Sequence, residues 1–322
     1  TYAKPDAIKN MGNPGEFDFK SWSNANGIYY QFYVPAEYWQ KSEQIEALPF
    51  TIILKRLRKS IFEYYKASGI EDDELAVFTA LTLGDKSMLD SELRQGYASA
   101  GLMHILAVSG LHVGLVYAVI LWFFKPFAKR KAGKIARFCV SIVVLWGYAM
   151  LTGLSPSVTR AATMFTVFIA GDLFGRKYAV YNSMALAAFL LLFNEPQIIG
   201  NVGFQMSFLA VFGIVALFPY ISKWLYFKYK FLNAIWQIMA VSIAAQAITT
   251  PLSLFYFNQF PTLFLISNVL MIPLATGLMY AFVVFIIVAP IPILASYVAK
   301  LIGWGVYLMN GFTNQVNAIE WA

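Results

Sequence analysis

Long apolar stretches separated by short polar connections fill the chain after residue 98. From Gln95 through Phe124 no Asp, Glu, Lys or Arg occurs, and an α-helix needs only about 20 residues to cross about 30 Å of hydrocarbon. Seven similar stretches follow, over residues 138–153, 158–173, 179–194, 202–221, 232–257, 262–288 and 292–315. The pattern predicts a mainly α fold, a polytopic helical membrane bundle of about eight spans, some of them discontinuous.

The first residues are polar and rich in turn signals. Residues 27–34 alternate between apolar and polar side chains, which predicts a strand of about seven residues, and the turn signal Asn13-Pro14-Gly15 precedes it. One strand cannot bury a core, so we interpret residues 1–47 as the end of a β-domain. The chain begins at Thr1 rather than Met, and we expect it to be part of a longer protein.

Residues 48–97 predict helices at the membrane surface. Apolar side chains recur at helical spacing over residues 48–67, and four basic residues lie mostly on the other faces: Lys55, Arg56, Arg58 and Lys59. This pattern favours a basic amphipathic helix on a membrane. Contact with polyanion phosphates and a solvated charged face are the alternatives. A second helix is predicted over residues 72–83, and a short amphipathic stretch over 89–98 leads into the first span.

The first span, residues 98–124, carries polar residues that a lipid-facing anchor lacks. These are His104, Ser109 and His112, with three glycines among them. Small polar residues inside a span usually face other helices or a water-filled path. We predict a helix that is broken near Ser109-Gly110 and turns one face into a polar interior. The alternative is that neighbouring helices satisfy both histidines.

Four later spans also carry polar side chains. Arg160 lies about one turn inside the third span, where an isolated charge costs about 2.5–3.5 kcal/mol and needs a partner, a water path or a snorkelling route. Gln205 and Ser207 open the fifth span. The sixth span carries a polar stripe along one face, formed by Ser242, Gln246, Thr249 or Thr250, and Ser253. Such a stripe is more often a seam between two helices than a conduit. Ser267-Asn268 and Pro273 make the seventh a candidate discontinuous helix.

Composition and charge agree with a membrane protein and set its orientation. Charged residues are 13% of the chain, against about a quarter in soluble domains, and the mean hydropathy is +0.60. One Cys excludes an internal disulfide, and two His argue against a metalloenzyme; no metal or cofactor is predicted. Lys and Arg concentrate in the first, third and fifth loops, including Arg176-Lys177 in the third. By the positive-inside tendency, these loops are cytoplasmic and both chain ends extracytoplasmic.

Several motifs resemble one family. Leu83-Gly-Asp-Lys-Ser87, then Leu93-Arg94, then the run from Gly101 to Gly114 (GLMHILAVSGLHVG) resemble the competence domain of the ComEC family. Further matches keep their order: Thr152-Gly153, Ser155-Pro156-Ser157, Arg160-Ala161, Gly203-Phe204-Gln205, Ser207-Phe208, Gln246, Thr250-Pro251, Ser267-Asn268 and Pro273. The segment from Asn13 to Asp18 (NPGEFD) is similar to a segment near the end of the family's OB-like domain. By the same resemblance, residues 98–322 would be the competence domain.

The resemblance implies a bacterial inner-membrane channel that passes single-stranded DNA into the cytoplasm. Membrane lipid, a periplasmic DNA-receptor protein and a cytoplasmic motor would be its partners; the oligomeric state stays open. Candidate path or gate residues are His104, Ser109, His112, Arg160, Gln205, Ser207, Gln246 and Asn268. Asp85 and Arg94 would order the outer mouth, and Lys55, Arg56, Arg58 and Lys59 would contact phosphates. The chain lacks the His-x-His-x-Asp-His motif of the family's nuclease-like domain, so we expect no enzyme activity.

Two other functions fit the same residues. A small-solute transporter uses discontinuous helices of this kind, but it would enclose a midplane pocket rather than a path wide enough for a strand. An intramembrane enzyme would use Ser109 and His112, which are three residues apart on a helix. That enzyme would also need an orienting partner and an oxyanion site.

Overall fold

The described residues of the N-terminal part contain little regular structure. The structure is a computed structural model, which describes residues 5–13, 16, 18–25, 28–35, 37, 50–127, 130–173, 180–258 and 260–318. Strand β1 (Asp6–Ala7) pairs antiparallel with β2 (Tyr30–Gln31), and helix α1 (Phe19–Ala25) lies between them. The predicted seven-residue strand is wrong in length, because only two of its described residues find a ladder partner. Pro14, Gly15 and Gly27 lie outside the described residues, as do most of residues 36–49.

In the described residues, three helices follow α1 and lead to the first predicted span. They are α2 (Phe50–Ala67), α3 (Asp72–Leu83) and α4 (Ser91–Ser99). The last nine residues of α3 are all buried, and the helix ends at Gly84 in the left-handed conformation (φ 73°). Tyr65 of α2 packs its ring 4.9 Å from that of Phe78 and 6.4 Å from that of Phe282. The second half of α2 is therefore part of the main hydrophobic core rather than a free surface helix.

The predicted break near Ser109-Gly110 is confirmed, although the span divides more than predicted. Residues 98–124 comprise the end of α4, the single turn α5 (Met103–Leu106) and helix α6 (Gly110–Phe124). Ser109 is extended (φ −129°, ψ 180°) immediately before α6. Gly101 takes a positive φ of 71°, which a residue with a Cβ rarely adopts. The first continuous apolar helix therefore begins at Gly110 rather than at residue 98.

Seven further helices occupy the positions of the other predicted spans. They are α7 (Lys131–Leu151), α8 (Pro156–Leu173), α9 (Val180–Asn194), α10 (Val202–Ile221), α11 (Lys230–Phe257), α12 (Phe264–Val288) and α13 (Pro292–Asn317). Within the described residues, six helices are long and apolar enough to cross a membrane: α6 with its extension to Phe127, α7, and α10 to α13. The chain is thus a multi-pass helical membrane protein.

The predicted discontinuity in the seventh span is absent, since α12 is continuous through Pro273. The helix begins at Phe264, so Ser267 and Asn268 lie in its first turns and do not interrupt it. Pro273 removes one N–H group, a loss that packed membrane helices tolerate. Arg176-Lys177 of the third loop lie outside the described residues.

Contacts between helices fix their relative directions. Gly110 and Gly114 of α6 face Ala161 and Phe165 of α8, so these two helices are parallel. A Cβ placed on Gly203, in the first turn of α10, would lie 3.7 Å from Nη2 of Arg160. The amino ends of α6, α8 and α10 therefore meet at one end of the bundle.

Candidate functional site

The first turn of α6 contains a histidine with a fixed tautomer. The backbone N–H of Ser109 donates to Nδ1 of His112 at 3.1 Å, and Oγ of Ser109 lies 3.1 Å from the same nitrogen. Because Nδ1 accepts a backbone hydrogen bond, the proton of the neutral ring is on Nε2. His112 is only 1% exposed, and its Nε2 has no partner among the described residues. Ser109 and His112 are thus in contact, and the N–H at Nε2 is left as a buried donor without a described partner.

Two neighbouring segments hold this break in place. Oγ of Ser157, in the first turn of α8, donates to the carbonyl oxygen of Val108 at 2.7 Å. A Cβ on Gly84 would lie 3.2 Å from a methyl group of Val108 and 3.4 Å from the carbonyl oxygen of Thr152. The end of α3, the break and the link between α7 and α8 therefore form one junction.

Arg160 is a buried cation without a counter-ion. Only 7% of its surface is exposed, and it makes no hydrogen bond or ion pair with any residue that the structure describes. Arg137, by contrast, pairs with Asp172 near the other end of α8. The guanidinium lies beside the first turn of α10, where a Cβ on Gly203 would be 3.7 Å from Nη2, and Nε is buried without a described partner.

The first turn of α10 places two predicted residues on different faces. Asn201 caps the helix, its Oδ1 accepting from the N–H of Phe204 at 3.1 Å. Gln205 donates to the carbonyl oxygen of Ile199 at 2.8 Å, which turns it back toward the preceding loop. Ser207 is four residues after Gly203, so it lies on the helix face that approaches Arg160. It is half-buried and makes no described hydrogen bond.

The polar stripe of α11 meets α12 at one point. Nδ2 of Asn268 donates to Oγ of Ser242 at 3.1 Å, whereas Oδ1 of Asn268 and Oγ of Ser267 are buried without a described partner. Thr249 and Thr250 bond to carbonyl groups of their own helix. Gln246 is half-buried, and no described hydrogen bond involves its side chain. The stripe therefore includes a helix–helix seam at Ser242, the commoner outcome for such stripes.

The remaining predicted residues lie at the edges of this region. Nδ1 of His104 lies 2.9 Å from the carbonyl oxygen of Gly101, and the side chain is exposed. Gly101 packs against Pro261, just before α12. Oδ1 of Asp85 accepts from the N–H of Ser87 at 3.0 Å, and Arg94 donates to the carbonyl oxygen of Lys86 at 2.7 Å. Asp85 and Arg94 thus order the turn that follows α3.

The basic residues of α2 divide into two groups. Lys55, Arg56 and Lys59 are exposed. Arg58 is half-buried and donates from Nε and Nη2 to the carbonyl oxygen of Leu151 at 3.0 and 2.8 Å, which caps the end of α7. In this structure Arg58 has a structural contact, while the other three remain available to a ligand.

The structure brings together some of the predicted site residues and not others. Ser109 with His112, Arg160 with α10, and Asn268 with α11 each form a local group, and the first two groups flank the contact between α6 and α8. No described hydrogen bond joins them to Asn268. Sequence reasoning assigned no role to Asn201, although an Asn directly before an apolar helix is a typical N-cap. Where the structure describes the chain, no cluster of three metal-ligating residues is present.

A surface cavity of about 270 Å³ lies away from these groups. Its lining comes from the start of α3 and the middle of α13, including Glu71, Glu74, Trp304 and Tyr307. None of the predicted path residues contributes to it.

Comparison with known proteins gives consistent matches. The family model described as "Competence protein" matches residues 81–322. ComE operon protein 3 of Bacillus subtilis (strain 168) is 30% identical over 266 residues, which are 82% of this chain and 32% of that protein. Competence protein ComA of Neisseria gonorrhoeae is 30% identical, over 47% of this chain and 22% of that protein. Recombination protein 2 of Haemophilus influenzae is 26% identical, over 64% and 27%.

The chain spans about a third or less of the length of these three relatives. No solved structure gives a significant match.

Proposed function

The chain belongs to the competence protein family, and from that premise we propose that it forms a membrane path for one strand of incoming DNA. It acts as a conduit and not as an enzyme. The family model and one relative are named for competence, another relative for the ComE operon and a third for recombination, which supports a task in DNA uptake.

One observation carries the proposal: Arg160 is buried without a counter-ion where α6, α8 and α10 begin. A helix carries a partial positive charge at its amino end, so three such ends add to the charge of the guanidinium. A buried, uncompensated cation is costly, and a phosphate backbone supplies the missing negative charge. Each phosphate that a cation neutralises also strengthens nucleic-acid binding through the release of counterions.

The rest of the bundle lacks groups that would repel a polyanion. No Asp or Glu occurs from residue 196 to residue 319, whereas Lys223, Lys228, Lys230 and Lys300 all fall in this range. Asp172 is already paired with Arg137. Helices α10 to α13 would therefore contribute no carboxylate of their own to a strand that passes along them.

Polar side chains continue inward from Arg160. Ser207 follows on the same face of α10, and Gly213, ten residues after Gly203, packs against Ala244 of α11. Ten helical residues rise about 15 Å, so the contact between Ser242 and Asn268 lies about half a bilayer deeper. These groups supply hydrogen bonds to bases, and we propose that the bond from Asn268 to Ser242 closes the path at rest.

On this proposal the path lies in the bacterial inner membrane, and the positive-inside tendency of the loops supports an orientation with Arg160 on the extracytoplasmic side. Residues 1–97 and the C-terminus would then also be extracytoplasmic. On this proposal a periplasmic DNA-receptor protein delivers the strand to the outer end, and a cytoplasmic motor draws it inward. Lipid surrounds the apolar helices, and Lys55, Arg56 and Lys59 are free to meet phosphates of lipid or DNA.

Replacement of Arg160 in the full-length protein of the native cell tests the function. We expect Arg160→Gln to reduce the entry of labelled DNA into a nuclease-resistant form at least about tenfold, because loss of a buried phosphate contact costs more than about 1.4 kcal/mol. The matched control is Lys300→Gln, which removes an exposed cation from α13 and should leave entry unchanged. Normal entry with Arg160→Gln, at normal protein levels in the membrane, would contradict the proposal.

A further inference from the structure

The first turn of α10 offers two backbone donors beside Arg160. The N–H of Phe204 bonds to Oδ1 of Asn201, and the N–H of Gln205 bonds to the carbonyl oxygen of Asn201. The N–H groups of Val202 and Gly203 have no acceptor among the described residues. Free N–H groups at the start of a long helix form a ready site for an anion.

Arg160 provides the second, independent sign of a ligand. Its side chain is buried to 7% exposure and has no described partner, and both terminal nitrogens point to Gly203. A Cβ on that glycine would lie 3.8 Å from Nη1 and 3.7 Å from Nη2. The planar end of the side chain and the helix amino end therefore face the same space.

Gly203 keeps this space open. Its φ lies outside the left-handed region, so the backbone does not require glycine. A Cβ would come within 3.1 Å of Oδ1 of Asn201 and would also occupy the space in front of the guanidinium. The absence of a side chain thus leaves room for the Asn201 cap and keeps the space in front of Arg160 open.

We propose that Arg160 and the N–H groups of Val202 and Gly203, together called the Arg160 cradle, bind one phosphodiester group of the entering strand. This inference rests on the proposed function, and it makes the Arg160 cradle the first site in the path that the strand contacts. Two terminal guanidinium nitrogens match the two non-bridging oxygens of a phosphodiester, and the helix end binds the remaining lone pairs.

The surroundings favour a phosphate that arrives from outside over a carboxylate of the protein. Asp172, on the same helix, is twelve residues away, or about 18 Å along the axis, and is bonded to Arg137. Glu195 precedes the short helix before α10 and is exposed. Neither acid pairs with Arg160, so the cradle keeps its positive charge until a ligand enters.

Binding of a labelled oligothymidylate to the purified full-length protein, measured at several salt concentrations, tests the cradle. Dodecyl maltoside is the detergent of choice because it contains no phosphate. We expect Arg160→Gln to weaken binding about tenfold and to lower the salt slope of log K by about 0.7, the value for one phosphate on a single strand. Arg160→Lys keeps the charge but not the fork, and it should restore the slope while recovering only part of the affinity.

The glycine provides a second test with a matched control. Gly203→Ala fills the space in front of Arg160, and we expect it to weaken binding several-fold with the salt slope reduced. Gly147→Ala, on α7, adds the same methyl group where nothing lies within 4 Å, and it should bind like the unmodified protein.

A lipid headgroup is the other source of a phosphodiester. A short-chain phosphatidylglycerol added to the maltoside micelles should compete with the oligonucleotide only weakly if the cradle serves DNA. Competition at equal phosphate concentration would assign it to lipid and overturn the inference. Equal affinity and slope for Arg160→Gln and the unmodified protein would also overturn it; the proposed function would stay intact in that case if Arg160→Gln still reduces DNA entry. Absence of DNA entry and of binding in the unmodified full-length protein would overturn both.

Discussion

At the scale of single residues, the same chemistry serves two purposes in this chain. Arg58 and Arg160 both lie among apolar helices. Arg58 donates hydrogen bonds to the carbonyl oxygen at the end of α7, whereas Arg160 donates none to a described residue. The sequence predicted that Arg160 needs a partner, a water path or a route to the surface. It did not separate Arg58 from its basic neighbours, because the acceptor, Leu151, is distant in sequence and only the fold brings it near.

Arg58→Met tests the structural contact. The variant keeps the apolar stem but leaves the carbonyl oxygen of Leu151 without its charged donor, so we expect a loss of about 1.5–3 kcal/mol in the free energy of unfolding. Arg56→Met replaces a cation at an exposed position of the same helix. It should change the free energy of unfolding by no more than about 0.5 kcal/mol. Unfolding of the purified protein in detergent gives both values; equal effects of the two variants would assign Arg58 to the surface as well.

At the scale of elements, local signals located the break before α6 but misjudged α12 and the strand. Polar and small residues around Ser109 predicted the break correctly, because Ser109 begins a helix that His112 caps. In α12 similar residues coincide with a helix start, where free N–H groups are normal and no interruption is needed. A strand over residues 27–34 would need a partner strand of similar length. The alternation of apolar and polar residues does not show whether the chain contains such a partner.

Gly101 is the position at which the broken segment is most sensitive to substitution. A Cβ there would lie 2.9 Å from Pro261, and the residue has a positive φ of 71°. We expect Gly101→Ala to cost at least about 1–2 kcal/mol from the backbone conformation alone, with more from the clash. Gly277→Ala, which meets nothing within 4 Å in α12, is the control. A thermal melt that gives equal midpoints for both variants would contradict this role of the break.

The seam between α11 and α12 is the predicted gate. In a Cys139→Ser background, a short bifunctional thiol reagent should link Ser242→Cys to Asn268→Cys, because the native side chains are 3.1 Å apart. If the seam must open for the strand, the link should stop DNA entry, and reduction should restore it. Each single cysteine, treated in the same way, is the control. Normal entry through the linked protein would show that the strand does not pass this seam.

At the scale of the whole molecule, hydropathy and composition predicted the membrane class, since lipid imposes those patterns on any sequence. They also predicted about eight spans, whereas six of the described helices are long and apolar enough to cross a membrane. They did not predict that the amino ends of α6, α8 and α10 meet around Arg160. That arrangement depends on close packing between distant segments, such as Gly110 against Ala161. The motifs that resemble the ComEC family lie on both sides of this junction, although nothing in the sequence alone placed them side by side.

Photo-crosslinking during DNA entry tests the central claim most directly. A benzophenone maleimide is attached to Ser207→Cys in the Cys139→Ser background of the full-length protein. This position lies on the face of α10 that carries the Arg160 cradle. The same label on Val143→Cys, at a position 71% exposed on α7, is the control. We expect the label at residue 207 to capture the entering strand and the label at residue 143 to capture none. Capture at residue 143 but not at residue 207 would contradict a path through the bundle.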